Sequence, residues 1–337
     1  MPLVSVIVPC YNEEKTILLL LEALLHQEFP LEEMEVVIAD GNSTDTTVQK
    51  INSFIIENPG LAVRVVHNQK RTIPAGLNLA IREAHGEFII RVDAHSRPYN
   101  NYIALCVTDL QQGKGDNVGG IWEIKPGGTG WLAKAIALAA SHPFGVGDAL
   151  YRYTDQPAYV DTVPFGAFHR KMFDKIGYFN EELLTNEDYE LNTRIIRAGG
   201  KIWLNPAIRS VYFARPNLLE LARQYWRYGY WKARMLMNNI SVIRMRQILP
   251  PLFVSSLIII PLISLFYPPA IWLFLVEIGI YFLALIVVGL LFALKQRNML
   301  LIPGIPLAIT VMHICWGGAF LWSVGGSVLD RKSRGRQ

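Results

Sequence analysis

The chain has 337 residues, enough for one large domain or two smaller ones, and 51% of them are hydrophobic, which is high for a purely soluble protein. The formal net charge of +4 is modest and nothing resembles a nucleic-acid reader module, which argues against nucleic acid as a partner. Three scattered cysteines, Cys10, Cys106 and Cys315, have no metal-ligand spacing and read as packing residues in a reducing compartment.

In chain order, Val4–Pro9 is a short apolar run ended by Pro, without the basic n-region of a signal peptide, so the first domain is expected in the cytoplasm. The leucine-dense stretch Thr16–His26 predicts a buried helix, and Val36–Ala39 a buried strand ending in the turn-forming Asp40-Gly41-Asn42-Ser43-Thr44-Asp45. Val63–His67 reads as a third strand, Pro74–Ala84 as a helix and Phe88–Val92 as a fourth strand. This alternation implies a doubly wound α/β sheet with ligands beyond the carboxyl ends of its strands, where the clusters Tyr11–Glu13, Asp40–Asp45 and Asp93–His95 should converge on one cleft. Residues 113–165, rich in Gly, Pro and aromatics, are expected to hold a mixed strand, a loop and a helix at Trp131–Ser141. A helix is expected from Glu187 to Ala198, stopped by Gly199-Gly200.

Arg215–Asn238 is a helical stretch rich in Arg, Tyr and Trp, suited to the membrane interface. Leu249–Phe266, Ile271–Leu294 and Leu300–Val324 each approach the roughly 20 residues that a bilayer core requires. The expected division is therefore a catalytic domain at 1–214, an interfacial basic and aromatic region at 215–247, about three membrane segments within 248–326, and a basic tail at 327–337. Juxtamembrane cations place the first domain on the cytoplasmic side of a cell membrane, although a solvated charged helix face is the plainer reading of the same residues. Both Lys295-Gln296-Arg297 and the tail from Arg331 look cytoplasmic, which three full crossings do not allow. Either Pro303-Gly304-Ile305-Pro306 makes the third segment re-entrant, or the tail departs from the positive-inside tendency.

No G-x-G-x-x-G or P-loop follows the first strand, which argues against a dinucleotide dehydrogenase and an NTPase. Asp93-Ala94-His95, directly after a strand, offers two ligands for a divalent cation whose remaining ligands come from a diphosphate; a turn residue beside a surface histidine is the plain alternative. Asn186-Glu187-Asp188 opens a helix, where the dipole keeps carboxylates ionised, and mere capping is the alternative. Two ionisable groups, Glu277 and His313, fall within apolar runs. His313 either meets a lipid diphosphate or is neutral and bonded to a neighbouring helix; Glu277 has no preferred role.

Taken as a set, Val4-Ser5-Val6-Ile7-Val8-Pro9-Cys10-Tyr11-Asn12-Glu13-Glu14, Ala39–Asp45, Gly86–His95, Asn186-Glu187-Asp188 and Gln224-Tyr225-Trp226-Arg227-Tyr228 resemble the family 2 inverting glycosyltransferases of the GT-A fold, over roughly residues 3–230. The resemblance implies that Pro9, Tyr11 and Glu13 line the base and ribose pocket. It also implies that Asp40 accepts a hydrogen bond from the base; a turn or capping role is its alternative. Lys70 and Arg71 can reach the nucleotide, or form a solvated basic pair, and Asn78 is given no role. Where the family shows Asp-x-Asp, this chain has Asp93 and His95, and imidazole leans the metal toward Mn²⁺ rather than Mg²⁺. By the same resemblance Asp188 is the general base, and Gln224, Arg227 and Tyr228 bind the diphosphate and acceptor, with Tyr228 where Trp is usual.

The Asp-Ala-His variant with a C-terminal anchor is similar to succinoglycan-type glucosyltransferases. That similarity implies transfer of a hexose, glucose from UDP-glucose, to a polyprenyl-linked or other lipid-linked saccharide at the membrane in exopolysaccharide or envelope glycan synthesis. A processive polysaccharide synthase and a polyprenyl-phosphate hexosyltransferase are the rival enzyme readings. A transporter with a regulatory domain is the non-enzymatic one.

Overall fold

A computed structural model of the chain describes residues 1–238 and 244–334. The chain forms two compact units, Met1–Glu123 with Tyr153–Tyr212, and Ile124–Arg152 with Phe213–Gln337. The segment 124–152, read from sequence as part of the first domain, belongs to the second unit.

The first unit begins with four parallel strands, β1 (Val4–Cys10), β2 (Met34–Asp40), β3 (Ala62–His67) and β4 (Phe88–Arg91). They are connected by α1 (Ile17–Leu25), α2 (Thr47–Glu57) and α3 (Ile73–Glu83). Strands β1, β2 and β4 are buried almost throughout, so their continuous apolar runs match a sheet covered on both faces. Beyond β4 come β5 (Arg97–Pro98), α4 (Tyr102–Gln111) and β6 (Asn117–Pro126). After the segment that belongs to the second unit follow β7 (Ala158–Tyr159), β8 (Ala167–His169), α7 (Arg170–Ile176), α8 (Glu187–Arg197) and β9 (Ile202–Ala214), giving the sheet order β3-β2-β1-β4-β8-β6-β9-β5 with β7 on β9. Strand β8 runs antiparallel to β4 and β6, so the doubly wound half expected from sequence continues into a mixed half. Val6, Val8, Ile38, Phe88, Ile90 and Ile103 form its core. Cys10 and Cys106 are buried there, and burial pushes both thiols up, as suits packing residues.

Glu35, second residue of β2, organises the amino ends of the strands. It accepts from Ser5 Oγ at 2.6 Å and from the His85 N–H at 2.5 Å, and pairs with Arg64 at 3.1 Å. Gly86 fits here because a Cβ would lie 2.5 Å from the Ser5 nitrogen.

In the second unit, α5 (Trp131–Ala140) and α6 (Pro143–Val146) precede α9 (Leu218–Asn238), the numbering following the chain. Three helices, α10 (Met245–Ser264), α11 (Ala270–Gln296) and α12 (Leu301–Arg334), are long and apolar enough to cross a membrane. Helix α12 is continuous past Pro306, so the Pro303–Pro306 region does not break the third segment as a re-entrant turn would require. The helix also carries on into the expected basic tail, of which residues 335–337 lie outside the described residues. Part of the interfacial region, residues 239–243, lies outside them too.

Helix α12 is more buried by protein than α10 or α11. Gly304 meets Ala135 and Trp131 of α5, Gly229 of α9 approaches the Trp316 carbonyl so closely that a Cβ would sit 2.1 Å from it, and Gly317 meets the Pro250 carbonyl of α10. His313 has protein partners at both ring nitrogens, the Tyr281 hydroxyl of α11 at 3.1 Å and the Phe144 carbonyl at 2.8 Å. Glu277 accepts from Ser256 Oγ of α10 at 2.5 Å.

Candidate active site

The three polar clusters do meet at the carboxyl ends of β1, β2 and β4. Asn12 and Asn42 take left-handed backbone conformations (φ 52° and 60°), which asparagine tolerates better than most residues. The loops are then stitched together: the Asn12 N–H donates to Ser43 Oγ and the Thr44 N–H to Asn12 Oδ1, both at 2.8 Å. The Glu13 N–H donates to Thr47 Oγ1 at 2.8 Å, and the Glu13 carboxylate lies 3.0 Å from Nδ1 of His95. Tyr11 is exposed. Pro9 is half-buried beside it.

Asp40 is 2% exposed, and Ser43 satisfies both its oxygens, through the hydroxyl at 2.6 Å and the backbone N–H at 3.1 Å. These are the bonds of a turn residue, and each oxygen keeps a further lone pair. Arg71 is exposed, with φ 57°. Lys70 pairs with Glu181 at 2.6 Å. Asn78 is a structural clamp, exchanging hydrogen bonds with the Phe179 backbone at 2.9 Å in both directions.

At the end of β4 stands Arg91, a residue the sequence reading passed over. It is 5% exposed, with Nε and Nη2 each 3.1 Å from Oδ1 of Asp93. Its Nη1 lies 3.0 Å from Oε1 of Glu187, without the alignment of a hydrogen bond. The signal was a charged residue closing the otherwise apolar Phe88-Ile89-Ile90 run. Burial opposes the guanidinium charge, but Asp93, Glu187 and Asp188 outweigh it and hold Arg91 protonated. Burial likewise raises the Glu187 carboxyl to about 7, with Arg91 opposing the rise and Asp188 adding to it.

Asp188 is the second residue of α8 and half-buried. Its Oδ1 accepts from the Tyr189 N–H at 2.7 Å. The helix is held on its inner side by Tyr189, whose hydroxyl donates to Asp161 at 2.9 Å, and by Asn192, which bonds Thr162 at 3.0 Å and Asn117 at 2.6 Å. Asp188 thus projects from an anchored helix start.

Asp93 and His95 keep side chains 25% and 50% exposed. Among the described residues no group of three or more His, Cys, Asp and Glu is arranged to hold a metal. One carboxylate and one imidazole at a strand end fit a cation that takes its other ligands from a diphosphate. Gln224, Arg227 and Tyr228 lie in the second unit on α9, where Gln224 is buried and donates to the Tyr228 hydroxyl at 2.9 Å, and Arg227 is exposed.

The family model for glycosyl transferase family 2 matches residues 5–177. The succinoglycan biosynthesis protein ExoA of Rhizobium meliloti is 31% identical over 320 residues, covering 94% of this chain and 93% of that protein. A Methanococcus voltae dolichyl N-acetyl-alpha-D-glucosaminyl phosphate 3-beta-D-2,3-diacetamido-2,3-dideoxy-beta-D-glucuronosyltransferase is 28% identical, covering 93% and 94%. A solved mannosyltransferase from Pyrobaculum calidifontis superposes with a TM-score of 0.57 at 19% identity over 92% of this chain and 87% of that one, a likeness of fold. Strand order, loop convergence and these similarities agree: the chain belongs to glycosyl transferase family 2, a glycosyltransferase of GT-A fold with three candidate membrane helices.

Proposed function

We propose that this enzyme transfers a hexose, glucose from UDP-glucose, with inversion to a lipid-linked saccharide, from a catalytic domain on the cytoplasmic face of the cell membrane. Pro9, Tyr11, Glu13 and Asp40 hold the nucleoside, and Arg71 reaches toward its phosphates. Asp93 and His95 would hold a divalent cation, which would supply positive charge to the leaving diphosphate. Asp188 accepts the proton of the acceptor hydroxyl as its oxygen attacks the anomeric carbon, and the bond to the diphosphate breaks on the opposite side. Gln224, Arg227 and Tyr228 serve the diphosphate and the acceptor.

The observation that carries this reading is the buried Arg91, shared by Asp93 at the strand end and Glu187 at the head of the helix that bears Asp188. One fixed cation ties the loop assigned to the donor to the helix assigned to the base, which favours both groups acting on one substrate. The relatives support the substrate class: one is named for succinoglycan biosynthesis and the other for a dolichyl-linked sugar acceptor. Mn²⁺ is the metal preferred by the imidazole ligand, and the Pyrobaculum structure was solved with GDP-Man and Mn²⁺.

Donor hydrolysis measured for UDP-, GDP- and dTDP-sugars with Mn²⁺ and with Mg²⁺ tests it. UDP-glucose with Mn²⁺ should turn over fastest. If no nucleotide sugar bound, the reading would be lost.

A further inference from the structure

The second unit contains an open cavity of about 320 Å³ lined by Arg215, Glu220, Arg223, Gln224 and Arg227. Such a volume lies at the small end of ligand sites. Three guanidinium groups line it, and among the described residues none of them forms an ion pair with a carboxylate. The single acid on its wall, Glu220, is committed to the start of α9: its N–H donates to Asn217 Oδ1 and its Oε1 accepts from Asn217 Nδ2, both at 2.9 Å. Like charges gathered around one cavity repel one another. The cluster is therefore arranged for an anion.

The charge and the surroundings specify which anion. Three arginines against one glutamate leave two net positive charges, matching the two negative charges of a diphosphate diester rather than the single one of an ordinary phospholipid headgroup. Guanidinium forks suit phosphate oxygens pairwise. The exposed face of α9 carries Leu219 (60% exposed) and Trp226 (46% exposed) beside Arg223 and Arg227, so apolar and cationic groups alternate along one stripe. A helix face of this kind suits a membrane surface, where aromatic and aliphatic groups meet acyl chains and arginines meet phosphates. The opposite face, with Leu221, Tyr225 and Ala233, is buried, and Gly229 on it packs against α12.

We infer that this cavity binds the diphosphate of a polyprenyl-linked acceptor, with Arg215 and Arg223 joining Arg227 as its ligands. The inference rests on the lipid-linked acceptor of the proposed function and specifies its headgroup.

The test uses the full chain in detergent micelles, titrated with farnesyl diphosphate and with UDP, in wild type and in Arg215→Gln, Arg223→Gln and the corresponding Lys variants. Each Gln variant should weaken farnesyl diphosphate binding about 10-fold or more, the scale of a lost charge-assisted hydrogen bond. UDP affinity should stay within about twofold, which also certifies the fold, and the Lys variants should recover part of the loss. Unchanged farnesyl diphosphate binding in the Gln variants would overturn the inference. An equal fall for UDP would assign the cavity to the donor diphosphate instead. Equally effective competition by phosphatidylglycerol would reduce the site to a generic anionic-lipid surface and overturn it as well. Because sugar transfer is not read, a failure of UDP-glucose as donor remains a separate result.

Discussion

Two buried carboxylates, at opposite ends of the same parallel strands, have been treated in contrary ways. Glu35 at the amino end is held below the usual range: burial opposes its charge, but hydrogen bonds from Ser5, His85 and Arg64 outweigh it. Glu187 at the carboxyl end is raised to about 7, since burial dominates and the cation beside it, Arg91, is shared with Asp93 and not aligned with it. The satisfied carboxylate ties the amino ends of the strands together; the under-satisfied one sits beside Arg91 and Asp188, among the residues proposed for the chemistry.

The largest break in that comparison is expected at Asp93. Asp93→Ala should abolish metal-dependent donor binding, whereas His95→Asp, which restores a second hard oxygen ligand, should keep measurable activity and shift the preference toward Mg²⁺. Metal-titrated turnover of both variants decides; unchanged metal dependence in both would show that this loop holds no metal.

Next in size, Asp188→Asn should lose roughly 10²-fold or more in transfer, the usual scale for a positioned base, while UDP binds nearly as in wild type. Calorimetric UDP binding paired with transfer rates separates the effects. Near-normal transfer would make Asp188 a capping residue and turn attention to Glu187.

A smaller effect is expected on stability against pH. A carboxyl raised from its ordinary value of 4.5 to about 7 binds more protons folded than unfolded between those values, so its contribution makes stability fall as pH rises through that window. Glu187→Gln should flatten the fall, as read from thermal midpoints between pH 5 and 7. An identical slope in the variant would mean that Glu187 ionises normally.

At the quiet end, Ser5→Ala should cost about 1–3 kcal/mol of stability by removing a donor to Glu35 and the acceptor of the Gly86 N–H. Denaturant unfolding measures it. Donor affinity should not change, and a change in it would deny that the two ends of the strands have separate tasks.

Much of the first unit was legible because its signals are local. The apolar runs that became β1, β2, β3 and β4 are bounded by turn residues, and the polar clusters after three of them sit at strand ends where chain direction alone requires them. The helices at Ile17–Leu25, Ile73–Glu83 and Glu187–Arg197 fell within a residue or two of expectation. By contrast β8 is three residues long and β7 two, too short for any periodicity, and their place beside β4 and β9 depends on partners far along the chain.

Residue types and their order along the chain were enough to announce a parallel α/β sheet, a ring of acidic loops at its carboxyl edge and three apolar helices, since hydrophobic period and turn chemistry are written in neighbouring residues. They could not announce that Arg91 turns inward to join Asp93 and Glu187, that 124–152 packs with the second unit, or that Arg215, Arg223 and Arg227 line one cavity. Each of these depends on which distant groups burial forces together, and a charge's partner is selected in space by the cost of leaving it unpaired.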